Sequence, residues 1–365
     1  MKNTILSGCL ILLLSVYKLS AQTPKLTAAF AASFGIVADS KGNLFVTGKN
    51  NKIIMINPSG KASLFAGGAR QGKDGKGKDA GFIDTEGIAI DAADNLYIAD
   101  GTSIRKISPD AVVTTIAGSR TAALKDGDRL TAAFWNMENI AIDNNGTIYV
   151  TDYAQAGAST GDYCIRKIGR DGSVTTLQDG NNNLLIKYPR GLACDAAGNL
   201  YVNASVSHCI KKITPSGEIS TVAGHCDKTK FNSVYREGTV STAVLTNPSG
   251  ICITSNGEIF ITDSRLHRVI KIANGKVSTV AGTGKMNFSS NPAGSAEPGY
   301  ADGKALAARF DAPGGITYDR NGNLYIIDRS SSNNSYIRKL SPDGMVTTFC
   351  KHEWNPKTSQ YEEVE

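Results

Sequence analysis

Short apolar runs separated by tight polar turns recur along almost the whole chain, and none of useful length has the spacing of a helix. In 87–118 four of them follow one another: Gly-Ile-Ala-Ile-Asp from Gly87, Asn-Leu-Tyr-Ile-Ala-Asp from Asn95, Ile-Arg-Lys-Ile from Ile104 and Val-Val-Thr-Thr-Ile from Val112. Each has strand length and is rich in β-branched residues. The unit returns about six times. Its opening residue is Gly35, Gly87, Asn139, Gly191, Gly250 and Gly315, at intervals of 52, 52, 52, 59 and 65 residues.

The turns fit the same scheme. Asp39-Ser-Lys-Gly42, Asp143-Asn-Asn-Gly146, Asp195-Ala-Ala-Gly198 and Asp319-Arg-Asn-Gly322 join the first run to the second. Asp bonds its own turn backbone and Gly takes a positive φ. Asn57-Pro-Ser-Gly60, Thr214-Pro-Ser-Gly217 and Ser341-Pro-Asp-Gly344 join the third to the fourth. Four antiparallel strands make a meander sheet that cannot bury both faces alone, but six arranged radially cover one another. The expected fold is all-β, a six-bladed β-propeller of four-stranded blades at about 35–66, 87–117, 139–177, 191–223, 250–281 and 315–349. The repeats share one phase, so the ring should close by side-chain packing without a swapped terminal strand, with the tail 351–365 available to cover the seam.

These residues resemble NHL repeats. The fit is best at Ile261-Thr-Asp263 followed by Leu266-His267-Arg268-Val269, which is similar to the family's D-x-x-N-H-R-I signature with Leu for Asn. Most other copies lack that Arg: Ser103, Cys164, Cys209 and Tyr336 stand in its place. The resemblance covers about 30–350. It implies the propeller fold (NHL/TolB-like) and leaves function open, because NHL propellers bind proteins, RNA or sugars and a few are enzymes.

Function is sought where the copies depart from the pattern. All the extra length lies at one end of the blades, in the connections 67–86, 118–138, 178–190, 224–249 and 282–314 and the hairpin insertions 153–163 and 329–336. Long loops on one face of a rigid scaffold are the usual place for binding. The residue before each opening position sits at the channel mouth: Phe34, Glu86, Glu138, Arg190, Ser249 and Gly314. Glu86, Glu138 and Arg190, with Trp135, Tyr163 and Tyr188 in the loops above, form the candidate ligand-binding set; aromatic rings there can stack on sugars or anchor a protein. In gluconolactonase-type propellers, metal ligands occupy this place. Here only Glu86 and Glu138 match, and Arg190 would repel a cation, so no calcium or zinc cofactor is assigned.

The remaining chemistry reads as structural. His208 and His267 fall at equivalent hairpin positions, where bonding to backbone is expected rather than zinc. The Asp-Gly pairs at Asp74, Asp126, Asp179 and Asp302 are expected to be turns, and Phe30, Phe82, Phe134 and Phe310 to be core. Cys194 and Cys252 replace apolar strand residues, while Cys209 and Cys226 are close enough in sequence to pair. No Ser-His-Asp order, G-x-S-x-G or phosphate loop is present.

Net charge is +6 without a dense basic block, so no nucleic-acid footprint is expected. Residues 1–21 read as a secretory signal, with Lys2, an apolar core from Ile5 to Val16 and a small-residue cut site before Gln22. Leu6-Ser7-Gly8-Cys9 also fits a lipoprotein box. The expectation is an exported monomer, periplasmic, cell-surface or secreted, without a transmembrane segment. It would bind carbohydrate or protein through the long-loop face. The alternatives are a metal-dependent lactonase or lyase at the channel mouth and a structural part of an envelope assembly.

Overall fold

The computed structural model describes residues 35–48, 51–154, 162–178, 186, 188–226, 235–283, 286–287, 295–296, 298–329, 335–355 and 360–363. The signal at 1–21, Phe30, Phe34 and Asp179 lie outside them, as do the side chains of the tail. Six antiparallel sheets form a six-bladed β-propeller with two single-turn 3₁₀ segments and no longer helix among the described residues. The innermost strands Ile36–Ala38, Thr85–Ile90, Met137–Ile142, Pro189–Cys194, Pro248–Ile253 and Pro313–Tyr318 line a central channel.

The blades bury each other as the repeat logic requires. Five shared clusters join consecutive blades, and a sixth packs Ile36, Val46 and Ile54 of blade 1 against Tyr325, Ile327 and Ile337 of blade 6. The ring closes by side-chain packing, and each blade among the described residues is built from its own repeat. Full burial of one such Ile contributes roughly 1.5–3 kcal/mol, so every interface is a substantial share of stability. The chain of the tail continues the last strand, Met345–Asn355, into a hairpin with Gln360–Glu363.

The blades differ from the four-stranded expectation in one respect. In blades 2, 3, 5 and 6 a fifth, two-residue strand from the preceding connection pairs with the outer strand: Gly75–Lys76, Gly127–Asp128, Gly238–Thr239 and Gly303–Lys304. The Asp-Gly pairs are therefore not free turns. Asp74 accepts from the Thr115 backbone N–H at 3.1 Å and from the Arg105 guanidinium at 2.7 Å. Asp126 and Asp302 treat Thr176 with Arg166, and Thr348 with Arg338, in the same way.

These three arginines are fully buried. Each also donates to a buried Asp at the end of the second strand: Arg105 to Asp100 at 2.9 Å, Arg166 to Asp152 at 3.1 Å, Arg338 to Asp328 at 3.0 Å. Two backbone carbonyls of the connection take further donors, such as Gly81 and Lys73 for Arg105. The guanidiniums lie over Phe82, Phe134 and Phe310 at 5.3, 5.0 and 5.1 Å from the ring centres. A buried ion pair is tolerable only with good geometry and further hydrogen bonds; the connection supplies acceptors for both terminal nitrogens, while each Nε is left without a hydrogen-bond partner. The Phe residues are core as expected, and the Arg above each ties the long loop to its blade.

Cys209 and Cys226 form a disulfide. Cys252 is buried, and Cys194 packs partly buried against its cluster. The first-to-second turns behave as read, with Asp195 Oδ1 accepting from the Ala197 and Asn199 N–H groups at 3.0 and 2.9 Å.

Candidate functional site at the channel mouth

Glycine fills most opening positions because neighbouring blades nearly touch there. A Cβ on Gly35 would lie 2.8 Å from the Glu86 carbonyl, and one on Gly250 would lie 2.3 Å from that of Gly314. The second strand of one blade also holds the next. Thr47 Oγ1 donates to the Glu86 carbonyl at 2.7 Å, Asn203 Nδ2 to that of Ser249 at 2.9 Å, and Thr262 Oγ1 to that of Gly314 at 2.6 Å.

Every inner strand from blade 2 to blade 6 breaks its register at this point. The irregularities fall between Thr85 and Ile88, Met137 and Asn139, Pro189 and Leu192, Pro248 and Ile251, and Pro313 and Ile316. A bulge re-aims the side chain it carries. Here the residues carried are Glu86, Glu138, Arg190, Ser249 and Gly314, and the first four of them line one cavity of about 160 Å³ with Asn136 and Asn139.

The charges in that cavity act on one another. Burial raises the Glu86 carboxyl first, the charges of Asp84 and Glu138 raise it further, and Arg329 opposes them; its pKa is pushed up to about 7. Burial also raises Glu138, against the pull of Arg190. Burial and the charge of Arg190 lower Arg329, which Glu86 counteracts. The mouth thus holds two carboxyls and the Arg190 guanidinium, with Arg329 within electrostatic reach of Glu86 and Arg190. Arg329 was not among the residues singled out from the sequence, since it follows the last apolar position of its strand and looks like the start of a loop.

A cluster of tyrosines stands near these charges. Tyr153 and Tyr163 stack at 4.3 Å, and Tyr188 leans on Tyr163 at 5.1 Å. The Tyr163 hydroxyl is raised by burial and then by the charge of Glu138, while Arg190 lowers it. The structure therefore brings Glu86, Glu138 and Arg190 into one lining, with Tyr163 within reach of Glu138 and Arg190 and Tyr188 leaning on Tyr163. Trp135 lies apart from the lining: its backbone N–H is held by Asp152 and its indole is 38% exposed.

The donor set does not fit a divalent cation. Two carboxyls share the lining with the Arg190 guanidinium, and no group of three or more His, Cys, Asp or Glu among the described residues is placed to hold a metal. The histidines are structural, as expected. His208 and His267 take left-handed φ values of 53° and 52° at their hairpins. His208 Nδ1 bonds the Thr246 carbonyl, and His267 Nδ1 accepts from the Ala312 N–H at 2.9 Å. Each bond links a hairpin to the next blade's connection. Asn51, at φ 57°, does the same in blade 1 by donating to the Ile83 carbonyl at 2.6 Å.

Fold, repeat and mouth together define an NHL-repeat β-propeller. The teneurin NHL domain profile matches residues 45–132 and the NHL repeat profile matches 245–272. Among curated proteins, "Protein SUPPRESSOR OF QUENCHING 1, chloroplastic" of Arabidopsis thaliana is 26% identical over 311 residues, covering 79% of this chain and 27% of that protein. Mouse Teneurin-3 is 27% identical over 57% of this chain and 9% of its own length. The chain thus spans about a quarter or less of the curated relatives it matches. Among solved structures, a protein of unknown function from Bacteroides thetaiotaomicron aligns with TM-score 0.59 at 18% identity, over 82% of this chain and 68% of that one. A gluconolactonase from Xanthomonas campestris aligns with TM-score 0.53 at 15% identity, over 83% and 85%. These likenesses are ones of fold.

Proposed function

We propose that this NHL propeller is an exported binding module whose channel mouth takes a hydroxyl-rich ligand, a carbohydrate. The observation that carries the reading is the convergence of bulge-directed Glu86, Glu138 and Arg190 on one cavity, with the Tyr153–Tyr163–Tyr188 stack within electrostatic reach of Glu138 and Arg190. Carboxyls and guanidiniums hydrogen-bond vicinal hydroxyls, and an aromatic wall packs against the C–H face of a sugar ring. The cavity's ~160 Å³ is on the order of the space one six-membered ring needs, so a chain end enters rather than a long polymer.

A glycan array probed with the chain lacking 1–21 tests this. The expected result is a defined set of bound glycans, with binding lost in the Glu138→Gln/Tyr163→Ala double variant. Binding to no glycan would contradict it and favour a protein partner on the same face.

One observation favours a second reading, an acid–base enzyme. A carboxyl near pKa 7 stands beside another, the arrangement in which one group gives a proton and the other takes one. Turnover of the array-positive glycan that disappears in Glu86→Gln would establish it.

A further inference from the structure

Blades 2, 3, 5 and 6 cover their outer edge in one way. The preceding connection brings an acid followed by Gly, and Gly with the residue after it pairs with the outer strand. The acids are Asp74, Asp126, Glu237 and Asp302, and each accepts from the backbone N–H of an outer-strand Thr, at 3.1, 2.9, 2.8 and 2.9 Å. At Gly127, Gly238 and Gly303 the backbone takes φ values of 146°, 153° and 140°, which Gly alone adopts without strain.

Blade 4 keeps the receiving half of this arrangement and lacks the other. Its outer strand Ile219–Gly224 sets Thr221 opposite Lys211, the register in which Thr115 stands opposite Arg105. Thr221 is exposed, and Lys211 donates to its Oγ1 at 2.8 Å. No carboxylate joins them among the described residues, and burial alone acts on the Lys211 ammonium, lowering it. The connection 177–188 is shorter by six residues or more than 67–84, 118–136, 225–247 and 282–312, so it lacks the length from which the other caps are made. Blade 1 differs again, with Leu64 opposite Ile54 at these places and so neither hydroxyl nor cation.

The edge is also unguarded. Ile219–Gly224 carries neither charge nor Pro, two devices that keep an exposed edge from pairing. Its bulge recurs in the capped outer strands of blades 2, 5 and 6 and does not prevent pairing there.

We propose that the outer edge of blade 4 is an interaction surface for an extended partner segment of the form acid-Gly-base, which adds the missing fifth strand in trans. The acid takes the Thr221 N–H and the Lys211 ammonium. Gly then lies opposite Ile219 and the base opposite the exposed Glu218, in the register that sets Gly75 and Lys76 against Val113 and Val112. The chain's own caps have this form at Asp74-Gly-Lys76 and Asp302-Gly-Lys304. Main-chain bonds supply affinity in such strand addition, and the flanking charges supply selectivity. Charge favours this segment over a second copy's edge, since Ile219–Gly224 brings no carboxylate to Lys211. The surface is separate from the channel mouth and does not depend on the carbohydrate reading.

Fluorescence anisotropy of a labelled peptide copying residues 299–307, titrated with the chain lacking 1–21, tests the proposal. Saturable binding is expected, ~10-fold weaker for the peptide with Asp302→Asn, the size of a charge-assisted hydrogen bond. In the protein, Lys211→Gln should weaken binding several-fold. Thr221→Pro removes the edge donor at a position where Pro is tolerated and should abolish it. Glu218→Lys should weaken the parent peptide, and a Lys304→Glu peptide should recover binding to that variant. Thermal unfolding confirms that the variants are folded; should Thr221→Pro fail, Lys211→Gln and the charge exchange at Glu218 decide. No saturable binding, or binding that these substitutions leave unchanged, overturns the proposal. A dimer in sedimentation that Glu218→Lys or Thr221→Pro dissociates, without peptide binding, gives the edge to a second copy and overturns it as well.

Discussion

Arg166 shows how much of this propeller rests on single buried side chains. Its two terminal nitrogens donate to Asp152, Asp126 and the carbonyls of Ala133 and Lys125, all at 2.9–3.1 Å. Arg166→Met leaves the buried Asp152 carboxyl unpaired and is expected to cost about 3–5 kcal/mol in denaturant unfolding. Asp126→Asn keeps an acceptor at the rim and should cost less, about 1–2 kcal/mol. Glu86 carries the opposite burden. Its folded pKa of about 7 lies above the ordinary 4.5, so the protonated form favours folding and that stability is lost as pH rises between the two values. Glu86→Gln should therefore be more stable than the parent at pH 8 by about 1–2 kcal/mol after allowance for its partial exposure, and indistinguishable at pH 4. Equal stability of the two proteins at pH 8 would show that the mouth does not destabilise the carboxylate.

At the scale of the element, the blade was legible because each strand is short, apolar and closed by turn residues with one conformational use. The opening Gly was legible as a pattern, although the reason for it was not, because the atom it avoids belongs to the next blade. The fifth strand was hidden for a similar reason. Two residues such as Gly75–Lys76 carry no periodicity, and only the fold shows Asp74 reaching Arg105 across 31 positions. A signal was nevertheless present: Ile-Arg-Lys follows an Asp-terminated second run in the copies whose connections carry Asp-Gly at Asp74, Asp126 and Asp302. The His hairpins were read correctly because a lone His per repeat lacks the company a metal needs. Their equivalence with Asn51 gives a test. His267→Asn keeps both the left-handed turn and a bonding side chain and should change the unfolding midpoint little. His267→Val places a β-branched residue at positive φ and removes the acceptor for Ala312, at a cost of about 2–4 kcal/mol. Equal midpoints for the two variants would show that the hairpin does not lock blade 5 to blade 6.

For the whole molecule, the ring turns local irregularities into a shared site. No repeat contains the mouth; blades 2 to 5 each contribute one bulged residue to its lining, and the six-bladed arrangement brings them to a common axis. The candidate acids and Arg190 could be found from sequence because their position in the repeat fixes their place on the axis. Arg329 and the closeness of Tyr153 to Tyr163 could not, since they follow from how far two hairpin strands extend beyond the repeat. The outer rim offers a natural contrast. Leu130 is 61% exposed on the connection into blade 3, outside the mouth's lining. The most direct measurement is thus the affinity of an array-positive glycan for Tyr163→Ala compared with Leu130→Ala. If the mouth is the binding site, Tyr163→Ala loses about tenfold, in line with one removed stacking ring, and Leu130→Ala binds as the parent does. Undiminished binding by Tyr163→Ala with loss in Leu130→Ala would place the ligand on the rim and contradict the account.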